Sequence, residues 1–90
     1  MVSIIENWAS VEGIVRAIYD NPVLEGYLLL ELELQKTNDV QSFPNLAKAD
    51  EGNIIRINVR PDQLDDKHLE PGNSFTCNVR KAFGQVYFVQ

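Results

Sequence analysis

The chain is poor in the residues from which most active sites are built, with one cysteine, one histidine, one methionine and one tryptophan among its 90 residues. The lone Cys77 cannot close an intrachain disulfide, and small exported domains usually depend on several such bridges. A reducing, cytoplasmic setting is therefore expected. One His and one Cys cannot supply the three or four convergent ligands of a transition-metal site, so no metal is expected. The doublets Asp50-Glu51 and Asp65-Asp66 lack the alternating oxygen ligands and central glycine of an EF-hand loop, and read as solvated loop charge. The five glycines, at 13, 26, 52, 72 and 84, stand singly, which leaves no phosphate-binding loop and no nucleotide or cofactor fingerprint. No apolar run exceeds the four residues of Tyr27 to Leu30, and MVSIIENWAS at the start has no basic stretch leading into an apolar core. Neither a membrane span nor an export signal is expected.

What is present describes one small folding unit: a mass of 10.2 kDa, 44% hydrophobic residues and 23% charged. A chain of this size buries roughly 60–65% of its extended surface, enough for one core and little more. Residues 1–7 are expected to pack loosely and the rest to form the domain. Thirteen acidic and eight basic residues give a net charge of −5, which disfavours a dedicated nucleic-acid or anionic-membrane protein. The charge is uneven. Residues 1–45 hold seven acids (Glu6, Glu12, Asp20, Glu25, Glu31, Glu33, Asp39) and two bases (Arg16, Lys36), whereas the second half has six of each.

The dominant period is two. From Trp8 to Tyr19 the set Ala9, Val11, Gly13, Val15, Ala17, Tyr19 alternates with Ser10, Glu12, Ile14, Arg16, Ile18, and Gly13 permits a bend or a close backbone approach. Asp20-Asn21-Pro22 through Gly26 has turn chemistry. Tyr27 to Lys36 then sets Leu28, Leu30, Leu32 and Leu34 against Leu29, Glu31, Glu33 and Gln35, so alternation overrides the helical preference of Leu and Glu. Residues 38–52 show no clean period and predict an irregular loop with a helical turn near Leu46 to Lys48. Loops of this length in small domains are usually functional or mobile. Asn53 to Arg60 is the clearest strand, with Ile55, Ile57 and Val59 facing one way. Asp62 to Glu70 predicts one or two helical turns capped by Asp62 or Asp65 and anchored by Leu64 and Leu69. Glu70-Pro71-Gly72-Asn73 fits a type II turn. Strands at Asn73 to Ala82 and Gln85 to Gln90 follow, joined by a turn at Phe83-Gly84.

The expected fold is therefore a mainly β, five-stranded antiparallel barrel with one short helix between strands three and four. From Trp8 to Gln90 this element order, with its glycine in a long bent first strand, resembles the OB-fold. The segment LEPGNSFTCNV is also similar to what SH3-like barrels use. The OB resemblance implies a ligand face on strands two and three, flanked by the loops Asp20 to Gly26 and Lys81 to Gln85.

No catalytic residue is expected. His68 lies in a polar segment and reads as solvated, and alternation places Cys77 beside Phe75 and Val79 on the core face as an inert thiol. Glu31 and Glu33 read as cross-strand partners of Arg56 and Arg60 rather than an acid–base pair. The leading functional expectation is a non-enzymatic binding module or complex subunit that meets a protein partner through an exposed mixed-charge sheet face and the 38–52 loop. On that face Glu12, Glu31 and Glu33 interleave with Tyr27, Leu29, Ile54, Arg56, Asn58 and Arg60, and Leu29, Ile14 and Ile54 are candidate apolar anchors. The alternative is single-stranded nucleic acid, because residues 53–60 and 73–90 carry Arg56, Arg60, Arg80 and Lys81 and no carboxylate. Phe83 and Tyr27 would be its stacking platforms. An edge strand at Val86 to Val89 would permit a homo-oligomer. An enzyme, working through carboxylates that meet in a pocket, is the third reading.

Overall fold

The computed structural model describes residues 7–64, 69–82 and 86–89. Period-two alternation becomes five strands: β1 (Ala9–Asp20), β2 (Leu28–Asp39), β3 (Ile54–Val59), β4 (Ser74–Lys81) and β5 (Val86–Val89). They close into a barrel in the order β1-β2-β3-β5-β4, which is compatible with the OB-like resemblance. Four neighbouring pairs are antiparallel and one, β3 with β5, is parallel, so the barrel is mixed rather than wholly antiparallel as expected. Chain direction explains the difference. β4 pairs antiparallel with β1 instead of β3, and β5, returning antiparallel to β4, then lies beside β3 in the same direction. β5 is hydrogen-bonded on both sides, so the edge strand expected at Val86 to Val89 is not an edge.

β1 serves two partners, β2 along its whole length and β4 over Ala9 to Ile14, and this needs strong coiling. Two irregularities supply it. The β1–β2 register slips between Glu12 and Gly13, and again between Val15 and Ala17 where Arg16 is the extra residue. Gly13 permits the first, because a Cβ there would stand 2.1 Å from the carbonyl oxygen of Glu33. The second inverts the strand's phase. Val11 and Val15 point into the core, but beyond Arg16 it is Ile18 that packs on the core, while Tyr19 is exposed.

The interior is filled from every strand. Leu30, Leu32 and Leu34 of β2 meet Ile55, Ile57 and Val59 of β3, and Val79 and Tyr87 close the other side, all 0–2% exposed. Leu64 and Leu69 are the anchors expected of them. The expected helix is reduced, among the described residues, to a 3-10 turn at Pro61–Gln63. Asp62 is not its cap: Gln63 Oε1 accepts the Arg60 N–H at 2.8 Å, and Pro61 stands in the first helical position. Asp65, Asp66 and His68 lie outside the described residues. The Glu70–Asn73 turn forms as expected, with the Asn73 N–H on the Glu70 carbonyl at 3.0 Å and Gly72 at φ +97°.

The 38–52 segment is anchored across one end of the barrel. Trp8 and Phe43 meet edge to face with ring centroids 5.4 Å apart, and Ala47 is buried. Asn45 Oδ1 accepts the N–H groups of Ala47 and Lys48, which starts a 3-10 turn at Lys48–Asp50, two residues beyond the expected one. Glu51 accepts both the N–H and the hydroxyl of Thr37, hydrogen bonds that hold its carboxyl below the usual range. Residue 7, expected to be loose, is held instead by two hydrogen bonds between its side chain and the backbone of Lys81.

Replacing Gly13 with valine should force β1 away from β2 and lower the free energy of unfolding by about 2–3 kcal/mol, a cost typical of overpacking. Urea denaturation checks this, and an unchanged midpoint would contradict the close approach.

Candidate binding face

The registers align the outward side chains of different strands into rows. One row runs Tyr19, Leu29, Asn58, Phe88, Arg80, and the next runs Ala17, Glu31, Arg56, Val86. The β1–β2 loop folds over the first row because Asn21 works in two directions. Its Oδ1 accepts the N–H groups of Val23 and Leu24 at 2.9 and 2.8 Å, and its Nδ2 donates to Asn58 Oδ1. Asn58 is thereby buried as the polar floor of a groove of about 520 Å³, whose walls include Val23, Leu24, Leu29, Val86 and Phe88. A second depression of about 530 Å³ is lined by Glu31, Ile54, Arg56 and Val86, so Arg56 and Val86 belong to both. Among the described residues the exposed large apolar side chains are Tyr19, Val23 and Ile54, at 42%, 84% and 58%, and each borders one of these depressions.

Charge on the face is organised in pairs. The Tyr19 hydroxyl donates to Glu31 Oε2 at 3.0 Å, and that hydrogen bond, with the neighbouring carboxylate charge, raises the Tyr19 pKa. Arg56 Nε lies 3.6 Å from the same oxygen, so the expected Glu31–Arg56 pair forms across the β2–β3 register. Glu33 is answered by Arg16 rather than Arg60, since the slip at Arg16 brings that guanidinium over β2. Arg60 follows the last paired residue of β3 and turns to Asp62 at 3.5 Å. Tyr27 is half-buried and sets its ring edge-on to Phe88, with centroids 6.2 Å apart. Phe83 lies outside the described residues.

Arg80 and Lys81 part company, as adjacent strand residues do. Arg80 stays outside, opposite Phe88. Lys81 turns toward the barrel end, where its Nζ reaches Asp50 Oδ2 at 3.2 Å and lies 5.7 Å from the centre of the Tyr87 ring. The Tyr87 hydroxyl donates to the same carboxylate oxygen. Asp50 is 8% exposed, which corrects its reading as solvated loop charge. This cluster belongs to the scaffold. One signal pointed to it: an inward-facing tyrosine at 87 requires a buried partner for its hydroxyl. Burial first, and the Asp50 hydrogen bond second, push the Tyr87 pKa far above its ordinary value.

Cys77 is half-buried and packs against the core. Among the described residues no group of three His, Cys, Asp or Glu side chains could hold a metal, and no helix is long and apolar enough to cross a membrane. Compared with protein-family models, curated proteins and solved structures, the chain matches none of them.

Tyr87→Phe removes one buried hydrogen bond to a charged acceptor and should cost about 1.5–3 kcal/mol at neutral pH. Because folding raises this tyrosine's pKa, its contribution is complete below the unfolded value near 10 and declines as pH rises beyond it. The stability gap between wild type and Tyr87→Phe should therefore shrink above about pH 10. A gap that stays constant to pH ~11 would contradict the assignment.

Proposed function

We propose that this chain is a non-enzymatic binding module, an OB-like barrel that recognises a protein partner across the outer face of β2, β3 and β5. The observation that supports this is convergence: Tyr19, Val23 and Ile54, the large apolar side chains left exposed among the described residues, all border the two adjoining depressions. Exposed apolar side chains scattered singly need no explanation, but a group of them around a groove marks a recognition surface. Glu31, Glu33, Arg16 and Arg56 surround the apolar part with paired charge, which suits the choice and alignment of a partner. Acid–base chemistry has less support, since Glu31 and Glu33 each face an arginine rather than the apolar surroundings that separate two carboxyl pKa values.

Single-stranded nucleic acid is the weaker reading for this face. Three cations that would serve it, Arg56, Arg60 and Lys81, each face a carboxylate, and the net charge is −5. Arg80 beside Phe88 is the observation in its favour.

Selection from a displayed library of random peptides tests the proposal. Binders enriched on the wild type should be lost on the Val23→Asp/Ile54→Asp double variant and kept on Lys36→Glu, which lies five positions beyond Glu31 on β2. Equal capture by the double variant would overturn the reading, as would a single-stranded oligonucleotide held on this face by salt-sensitive binding.

A further inference from the structure

We infer that the partner segment is an extended peptide with a carboxylate between two apolar side chains at alternate positions, in the order apolar, any, acidic, any, apolar. The inference rests on the reading of this face as a protein-binding surface and narrows it to one peptide chemistry. Asn58, Arg56 and Ile54 are alternate residues of β3 and share its outer side, so their rows follow one another at about 6.6 Å. An extended peptide has the same two-residue repeat, and its side chains at i, i+2 and i+4 can meet the three rows in turn. The row at Asn58 is flanked by Leu29 and Phe88 and walled by Val23 and Leu24, and it accepts an apolar side chain. At the far row Ile54 offers 58% of its surface as an apolar shelf. Between them stands Arg56, shared by both depressions.

Arg56 is poised to take up a new anion. Its side chain is 66% exposed, and Glu31 Oε2 lies 3.6 Å from Nε, beyond hydrogen-bond length. Arg16 differs, with Nε donating to Glu33 at 2.9 Å. Glu31 has a second partner in the Tyr19 hydroxyl, so it remains hydrogen-bonded if Arg56 turns to an incoming carboxylate. A guanidinium can hold that carboxylate through two parallel N–H donors, with apolar contacts on either side to exclude water. The chain's overall negative charge opposes an acidic partner only weakly at physiological salt, where screening acts within about 8 Å.

Fluorescence anisotropy with end-blocked synthetic peptides tests this. Leucine, glutamate and leucine, separated by single serines, should give saturable binding, and glutamine in place of the central glutamate should weaken it about tenfold. Arg56→Gln should bind both peptides equally, and Arg56→Glu should prefer a central lysine. Equal binding of the glutamate and glutamine peptides to the wild type, a comparison that needs no variant to fold, would overturn the inference. So would a glutamate preference that survives in Arg56→Gln. Failure of the designed peptides while display-selected peptides bind would overturn this motif and leave the protein-binding reading standing. Failure of both would remove the two together, and displacement by a single-stranded oligonucleotide would assign Arg56 to phosphate instead.

Discussion

At Gly13 the backbone of β1 runs so close to β2 that the Glu33 carbonyl oxygen occupies the space next to where a side chain would begin. That approach lets one strand turn sharply enough to pair with both β2 and β4, and without this double pairing the sheet has no closure. Closure sets the rest. Once β4 is committed to β1, β5 can only run parallel to β3, and the interior becomes a sealed space filled mainly by leucines, valines and isoleucines, together with Phe75 and one tyrosine. The tyrosine brings a hydroxyl with it, and the 38–52 segment answers by carrying Asp50 under the barrel end, where Lys81 balances the carboxylate. Truncating one member of such a buried set is costly, because a buried polar group loses one of its hydrogen bonds.

The same closure determines what the outer surface offers. Pairing β3 with β5 puts Val86 and Phe88 beside Arg56 and Asn58, and the extra residue at Arg16 sends Tyr19 outward to join them. The β1–β2 loop, held by Asn21 on Asn58, adds Val23 and Leu24 as a rim. Residues from four separate segments thus form one apolar face crossed by a charged row. Surface ion pairs of this kind contribute little to stability, about 0–1 kcal/mol each. Their arrangement is better understood as a device for selecting and aligning a partner.

Much of the fold was legible because alternation is local. The leucines of β2 and the isoleucines of β3 announce their buried side without reference to any other strand. The turn at Glu70–Asn73 follows from Pro and Gly in fixed positions. Glu31 opposite Arg56 was within reach for the same reason, once β2 and β3 were taken as neighbours. Three features were not, and each depends on something non-local. Tyr19 changes face because of a one-residue slip, which leaves no mark in the hydrophobic pattern. The parallel β3–β5 pair depends on where β4 docks, a choice made across some 60 residues. Asp50 sits in a segment without period, and its burial is decided by Tyr87 and Lys81, both more than thirty positions away. Within the candidate site, Leu29, Glu31, Ile54, Arg56 and Asn58 of the β2–β3 pair were found, whereas Val86 and Phe88 were missed because only barrel closure sets β5 beside β3, and Val23 because its place depends on the Asn21 contact with Asn58.

The most direct test is an amide chemical-shift titration of labelled protein with a peptide selected for binding, run beside a mixed-sequence single-stranded oligonucleotide at low and physiological salt. A protein-binding face across β2, β3 and β5 requires saturable shifts from the peptide, concentrated at residues 21–24, 54–58 and 86–88, that persist at physiological salt. Shifts spread over β1 and β4 instead, or shifts at 54–58 that come from the oligonucleotide and vanish as salt rises, would contradict the account.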